Sequence, residues 1–133
     1  MVGVFLLFML QILYVGLGGF LGAISRFLVA KYTTNMFGTF PIGTLFVNIT
    51  GSFVLAFISY LVIFGKNVPP DFRSFATIGF IGAYTTMSTF SFETMRFLDQ
   101  GEYGYFALNL FLNVGICFLA IALGRYCALL LSR

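Results

Sequence analysis

The stretch "GAYTTMSTFSFE", from Gly82 to Glu93, places hydroxyl side chains inside an otherwise apolar run. Five of the seven residues from Thr85 to Ser91 carry a hydroxyl group. The surrounding run, about residues 75–98, is long enough to cross a bilayer as a helix, which takes about 20 apolar residues. Irregular backbone at membrane depth is tolerated only where it is buried in protein or lines a cavity. The stretch therefore predicts a membrane span that is polar and broken near its centre.

The composition of the whole chain agrees with a membrane protein. Of its 133 residues, 60% are hydrophobic and 8% are charged, whereas a soluble domain carries about 25% charged residues. Four apolar runs lie at about residues 4–28, 42–64, 75–98 and 105–131. A β-barrel would show alternating segments of about ten residues, but these runs are continuous. We expect an all-α membrane protein in which residues 1–133 form one domain of four transmembrane helices.

The cationic residues near the span ends are almost evenly divided between the two sides of the membrane. One side holds four of them, Lys66, Arg73, Arg125 and Arg133. The other side holds three, Arg26, Lys31 and Arg96. Because the excess of Lys and Arg in cytoplasmic loops sets orientation, this near balance predicts dual topology. The alternative is that the small excess suffices and one orientation dominates.

The first span contains closely spaced small residues and ends near a cation. Gly18 with Gly22, and Gly19 with Ala23, are small-xxx-small pairs, which let helix backbones approach closely in lipid. Arg26 follows near the end of the span. It is either a cation that extends to the membrane surface or a positive charge at a vestibule that attracts anions.

Two spans carry polar residues at i, i+4 and i+8, so each set lies along one helix face. The set in the second span is Thr44, Asn48 and Ser52. The set in the fourth span is Asn109, Asn113 and Cys117. An amide without a partner in hydrocarbon costs several kcal/mol. The alternative role is hydrogen bonding between helices, but two such stripes on separate helices favour a lined path.

In the third span, the residues after the predicted break separate onto two faces. Met87 and Phe90 are three apart and share one face. Thr86, Thr89 and Glu93 share another face. Freed backbone carbonyls at the break are suited to hold a cation.

Glu93 is the one acidic residue predicted within a span, and its alternative role is an i, i+3 pair with Arg96. The chain has no histidine, and no acid–base pair offers a proton relay. No nucleophile has an activating base, so the sequence does not favour an enzyme. The remaining chemistry consists of neutral donors, which suit an anion that sheds its water.

Three segments carry a family resemblance: "GGFLGAISRF", "GTLFVNITGSF" and "GFIGAYTTMSTFSFE". They resemble, in order and over essentially the whole chain, the Fluc (CrcB) family of small bacterial fluoride ion channels. The resemblance implies passive export of fluoride to relieve its toxicity. It also implies a multi-pass protein of the bacterial cytoplasmic (inner) membrane. Two subunits would pair antiparallel as a homodimer, with two pores and a central structural sodium ion (Na+).

The resemblance also implies roles for individual residues. The pore asparagine of the family falls on Asn48, and its two pore phenylalanines fall on Met87 and Phe90. The sodium site, made by backbone carbonyls at the break, falls on Gly82 and Thr85. The polar track of the fourth span falls on Asn109, Asn113 and Cys117. Thr86 and Thr89 complete the expected anion pathway, Arg26 lies at its vestibule, and Glu93 is a gating or structural acid.

The chain departs from the family pattern at three places. Met87 replaces a phenylalanine, Ala83 replaces a glycine, and the fourth span has asparagines and a cysteine where hydroxyls are frequent. The main alternative function is a small four-span proton-coupled multidrug exporter. Such a protein needs an acid in the membrane, typically in the first span, and that span has none. A second alternative is a membrane assembly subunit that transports nothing.

Overall fold

The computed structural model describes residues 2–37 and 40–133, and the regular elements within these ranges are helical. Helix α1 is Val2–Phe37 and helix α2 is Ile42–Ile63. A rod of three joined helices follows, made of α3 (Pro70–Arg73), the π-helix π1 (Ser74–Ile81) and α4 (Gly82–Tyr84). After a break comes α5 (Met87–Asp99). The last rod joins α6 (Tyr103–Phe111), the π-helix π2 (Leu112–Ile116) and α7 (Cys117–Ser132).

Three of the four predicted spans are helices long and apolar enough to cross a membrane, at Leu6–Thr33, Ile42–Ile63 and Tyr103–Ser132. The predicted third span is divided into the rod 70–84 and α5, so neither part alone has that length. The chain is therefore an all-helical membrane protein with a broken helix, as the sequence predicts.

Helix α1 extends beyond the first apolar run of about residues 4–28. The part of it that is apolar enough to cross a membrane is Leu6–Thr33, but the helix continues to Phe37. Its residues 29–37 contain neither glycine nor proline, so hydropathy changes there without any signal that stops a helix. The hydroxyl of Thr33 donates to the carbonyl oxygens of Val29 and Ala30, at 2.8 and 3.1 Å, within the extension.

The break in the third span lies within the predicted stretch, at Thr85 and Thr86 rather than at Gly82. Gly82 is helical, with φ −59° and ψ −34°, whereas Thr85 and Thr86 are extended, with ψ 158° and 115°. Thr86 is the N-cap of α5, and its hydroxyl accepts a hydrogen bond from the backbone N–H of Thr89 at 3.2 Å. Threonine is a preferred N-cap residue because its side-chain oxygen satisfies a free N–H of the first turn. A new helix start, rather than glycine, therefore defines the break.

Helix α1 packs against the rod 70–84 through glycines. A Cβ atom on Gly18 would clash with the carbonyl of Phe75, and one on Gly22 would clash with the carbonyl of Phe80. Gly79 on the rod is equally close, because a Cβ there would lie 2.6 Å from a carbonyl oxygen of α1. The prediction of a small-residue contact at Gly18 and Gly22 is confirmed. In the second pair, Gly19 also contacts the rod, since a Cβ on Gly79 would lie 3.1 Å from the Gly19 nitrogen, whereas Ala23 is exposed in the single chain.

Helix α2 lies between the other spans and contacts both α1 and α7. Gly124 of α7 is buried against the α2 backbone, where a Cβ atom would lie 3.1 Å from the Cβ of Ala56. At the same end, the guanidinium of Arg125 lies 5.7 Å from the ring centre of Tyr60. The polar stripes of α2 and the last rod are thereby brought face to face.

Candidate functional site

Asn48 bridges the backbone break in the third span. Its side-chain oxygen accepts a hydrogen bond from the backbone N–H of Thr86 at 2.8 Å, and its Nδ2 donates to the carbonyl of Thr86 at 3.1 Å. The amide of Asn48 therefore takes the place of water for Thr86, because it satisfies the N–H and the carbonyl that would otherwise have no partner in a helix. The second Nδ2 hydrogen goes to the side-chain oxygen of Asn113 at 3.0 Å.

The hydrogen bond from Asn48 begins a directed series through the fourth span. Asn113 donates to the side-chain oxygen of Asn109 at 2.9 Å and to its carbonyl at 3.2 Å. Asn109 donates to the hydroxyl of Thr94 at 2.9 Å, and Thr94 donates to the carbonyl of Phe90 at 2.7 Å. Asn109, Asn113 and Thr94 are all buried. We call this series, from Thr86 through Asn48, Asn113, Asn109 and Thr94 to Phe90, the amide relay.

The amide relay unites predicted residues with one that sequence analysis missed. Thr94 was not among the candidates, although Thr86, Phe90 and Thr94 are spaced i, i+4 and i+8 like the two polar stripes. The phenylalanine in the middle hides that stripe from a search for polar residues alone. Asn113 lies four residues after Asn109, in the π-helix Leu112–Ile116, and π-helical turns are frequent at functional sites.

The other members of the α2 stripe also meet polar partners. Ser52 and Cys117 of the two stripes line one cavity. The hydroxyl of Thr44 donates to Oε1 of Glu93 at 2.9 Å. The second carboxyl oxygen of Glu93 is buried and has no hydrogen-bond partner within the part of the chain that the structure describes. Glu93 thus takes its hydrogen bond from α2 rather than pairing along its own helix with Arg96.

A cavity of about 320 Å³ lies beside the amide relay, and we call it the amide cavity. Its polar lining comes from both stripes and the break, namely Asn48, Ser52, Thr85, Thr86, Asn113 and Cys117. Its apolar lining includes Met87, Phe90 and Phe118. The predicted path is therefore formed by residues from α2, the break, α5 and the last rod. Neither Cys117 nor Cys127 forms a disulfide, and both are half-buried.

The two residues at the phenylalanine positions differ in exposure. Phe90 is 4% exposed and Met87 is 71% exposed in the single chain, yet both line the amide cavity. Met87 is the first residue of α5, one position after the N-cap Thr86. Its side chain therefore forms the open side of the cavity, whereas the ring of Phe90 forms part of its packed wall.

A second cavity, of about 240 Å³, lies on the other side of Thr86, which lines both cavities. We call it the arginine cavity, since Arg26 lines it together with Thr44 and Thr89. The hydroxyl of Thr86 donates to that of Thr89 at 3.0 Å, so the Thr89 hydrogen remains available to the cavity. Arg26 is half-buried and faces this cavity instead of extending along the lipid surface.

The residues predicted to hold sodium are only partly suited to it in the single chain. The rod 70–84 ends in the middle of the fold, so its last carbonyls lie at the negative end of a helix dipole. Gly82 is exposed and leaves its carbonyl approachable. The carbonyl of Thr85 accepts a hydrogen bond of 3.3 Å from Nη1 of Arg26. A cation at Thr85 would therefore share that oxygen with the guanidinium.

Comparison with known proteins agrees with these features. The model of the family described as "CrcB-like protein, Camphor Resistance (CrcB)" matches residues 13–125. A protein of Campylobacter lari named fluoride-specific ion channel FluC is 48% identical over 115 residues, covering 85% of this chain and 93% of that protein. A protein of the same name from Methanocaldococcus jannaschii is 42% identical over 123 residues, covering 92% of this chain and 98% of that protein. The matched range contains every candidate site residue.

Proposed function

This chain belongs to the CrcB-like family, and we propose that it is a passive channel for fluoride. The matching relatives carry the name of ion channels, so the protein is a channel rather than an enzyme. A channel that releases fluoride down its gradient would relieve fluoride toxicity without coupling to protons or ATP.

The observation that carries the proposal is the pair of cavities that meet at Thr86. Their polar lining consists mainly of amides and hydroxyls, with one cation, Arg26, in the arginine cavity. Neutral donors replace the hydration of a small anion without binding it so tightly that it cannot leave. Glu93 approaches this path, but its carboxyl accepts from Thr44. A path of this kind suits fluoride better than it suits a cationic drug.

In the proposed path, fluoride is first attracted to the arginine cavity by Arg26. The free hydroxyl hydrogen of Thr89 offers the first neutral donor there. The ion passes Thr86 and Asn48 to reach the amide cavity. Ser52, Cys117 and the ring edge of Phe90, which carries partial positive charge, would then contact it. Asn113 lines the amide cavity and accepts from Asn48, and Asn109 holds Asn113 in turn.

We propose further that two copies pair antiparallel to form the working channel. The polar wall of the amide cavity opens past Met87, and polar groups facing lipid would be costly. A second copy would cover that opening. A closed two-fold pair repeats each feature once per subunit, so it would contain two equivalent pores. The near-equal distribution of cations found in the sequence suits both insertion directions.

Sodium would occupy the two-fold axis of this pair, between the breaks of the two third spans. The carbonyls of Gly82 and Thr85 from both subunits would hold it, provided that Arg26 yields the Thr85 oxygen. When bound, the ion would supply charge neutralisation for the helix ends that meet there. Loss of dimer on replacing sodium with a large organic cation, and its recovery on adding sodium back, would test this site.

The channel proposal is tested by fluoride efflux from liposomes that contain only the purified protein. We expect rapid efflux down a fluoride gradient when potassium and valinomycin balance the charge. The rate should be the same with or without a proton gradient. Efflux that requires a proton gradient, or transport of cationic drugs, would favour the exporter instead. Folded protein that moves neither would favour an assembly role.

A further inference from the structure

Both amide hydrogens of Asn48 are already donated within the chain. One binds the carbonyl of Thr86 at 3.1 Å, and the other binds the side-chain oxygen of Asn113 at 3.0 Å. An anion can therefore gain a donor from Asn48 only by displacing one of these two oxygen atoms. The choice between them decides how the site opens.

The two oxygen atoms are not equally easy to displace. Thr86 is held by two hydrogen bonds from the same amide, one in each direction. Turning Asn48 away from it would leave two backbone groups unsatisfied at membrane depth, which is costly. Turning Asn48 away from Asn113 would leave only the side-chain oxygen of Asn113 without a donor. The hydrogen bond from Asn48 to Asn113 is the one that an anion in the amide cavity would replace.

The oxygen of Asn113 is fixed in its competing position. Its own Nδ2 donates to both oxygen atoms of Asn109. Thr94 fixes the orientation of Asn109. The hydroxyl hydrogen of Thr94 is donated to the carbonyl of Phe90, so the hydroxyl oxygen can only accept the hydrogen bond from Nδ2 of Asn109. Rotating the Asn113 amide by half a turn would set two NH₂ groups against each other and lose both bonds to Asn109. The relay thus keeps an acceptor pointed at Asn48.

We propose that the side-chain oxygen of Asn113 is an internal competitor that determines which anions pass Asn48. This inference rests on the proposed fluoride channel. Fluoride is small and charge-dense, and hydrogen bonds to an ion are roughly twice as strong as neutral ones. Chloride is larger, so its charge lies farther from the N–H and attracts it less. Fluoride displaces the amide oxygen of Asn113, and chloride does not.

The test is the ratio of chloride to fluoride efflux in liposomes for Asn113→Ala. Removing the competitor frees an N–H of Asn48, so we expect the ratio to rise by about tenfold or more. The rate of fluoride efflux will itself change, but it should remain measurable because the backbone of Thr86 still holds Asn48. Thr50→Val is the control, since the Thr50 hydroxyl lies on α2 near Asn48 but bonds Tyr84, outside the lining of the amide cavity. That variant should keep the ratio of the unaltered protein.

A second pair of variants tests the role of the Asn113 oxygen without replacing Asn113 itself. Thr94→Val removes the acceptor that orients Asn109 and should shift the ratio in the same direction by a smaller factor, whereas Thr94→Ser should restore it. An unchanged ratio in folded Asn113→Ala dimers would overturn the inference, as would complete loss of fluoride efflux. If Asn113→Ala fails to fold, an unchanged ratio of chloride to fluoride efflux in Thr94→Val overturns the inference. Absence of fluoride efflux from the unaltered protein would instead remove the channel proposal.

Discussion

The side chain of Asn48 pairs with the backbone of Thr86 through two hydrogen bonds, accepting from its N–H at 2.8 Å and donating to its carbonyl at 3.1 Å. The amide side chain thus makes the two backbone hydrogen bonds that a neighbouring β-strand would make to an extended residue. The break in the third span therefore depends on a residue of the second span. The same residue lines the amide cavity, so the support of the fold and the proposed path meet in one side chain.

Asn48→Asp should abolish fluoride flux. The substitution keeps the shape, but it removes both Nδ2 donors and places a negative charge beside the path. Two like charges 4 Å apart repel by about 4 kcal/mol at an effective dielectric of 20, which corresponds to about a thousandfold. Asn67→Asp, on an exposed loop, makes the same chemical change away from the path. Fluoride efflux per amount of folded protein is the measurement, and equal rates in the two variants would contradict the role of Asn48.

Phe90→Ile should reduce flux strongly, whereas Met87→Phe should leave a selective channel. The ring of Phe90 is 4% exposed at the cavity wall and offers a positive edge that isoleucine lacks. Met87 is 71% exposed and adaptable, so its replacement by a ring needs no repacking inside the chain. Phe92→Ile, on the same helix with a ring that is 64% exposed, is the control. Normal flux through folded Phe90→Ile would exclude a ring-edge contribution.

Gly22→Ala should weaken the contact between α1 and the rod 70–84. The added methyl group would clash with the carbonyl of Phe80, and overpacking typically costs about 1–3 kcal/mol. Gly16→Ala, on the same helix, meets nothing within 4 Å and should be neutral or slightly stabilising. Resistance of the purified protein to unfolding in sodium dodecyl sulfate compares them. Equal resistance would mean that the close approach is not needed for stability.

The dual-topology proposal predicts that a reporter at the C-terminus labels both sides of the membrane. Adding two lysines beside Lys66 should bias insertion to one orientation and lower fluoride efflux from cells. Co-expression with a variant that carries two added lysines beside Lys31 should restore it, because each supplies the opposite orientation. A reporter found on one side alone would show that a small excess of cations suffices.

The positions of polar residues along each helix could be predicted from sequence, but their partners could not. Spacing placed Asn48 and Ser52 on one face and Asn113 and Cys117 on another. That Asn48 bonds Asn113, and that Ser52 and Cys117 line the same cavity, depends on how α2 and the last rod pack. Helix periodicity gives the face of a residue and says nothing about which helix lies opposite.

The break and the length of α1 show which local signals decide where a helix ends. The stretch predicted to hold the break contains both Gly82 and two threonines, and the N-cap geometry of Thr86 defines the break. Thr86 and Thr89 at the N-cap and N3 positions were a readable helix start. In α1, the apolar run ends near residue 28, but the helix continues to Phe37 because helices stop at caps, glycine or proline rather than at the membrane surface.

The most direct test of the central claim is the reversal potential of the purified protein in a planar bilayer. Fluoride should be present at a tenfold gradient, with chloride, sodium and pH equal on both sides. A passive fluoride-selective channel predicts current that reverses at the fluoride equilibrium potential and stays there when the pH of one side is changed. Reversal at zero, or a reversal potential that follows the proton gradient, would contradict this account.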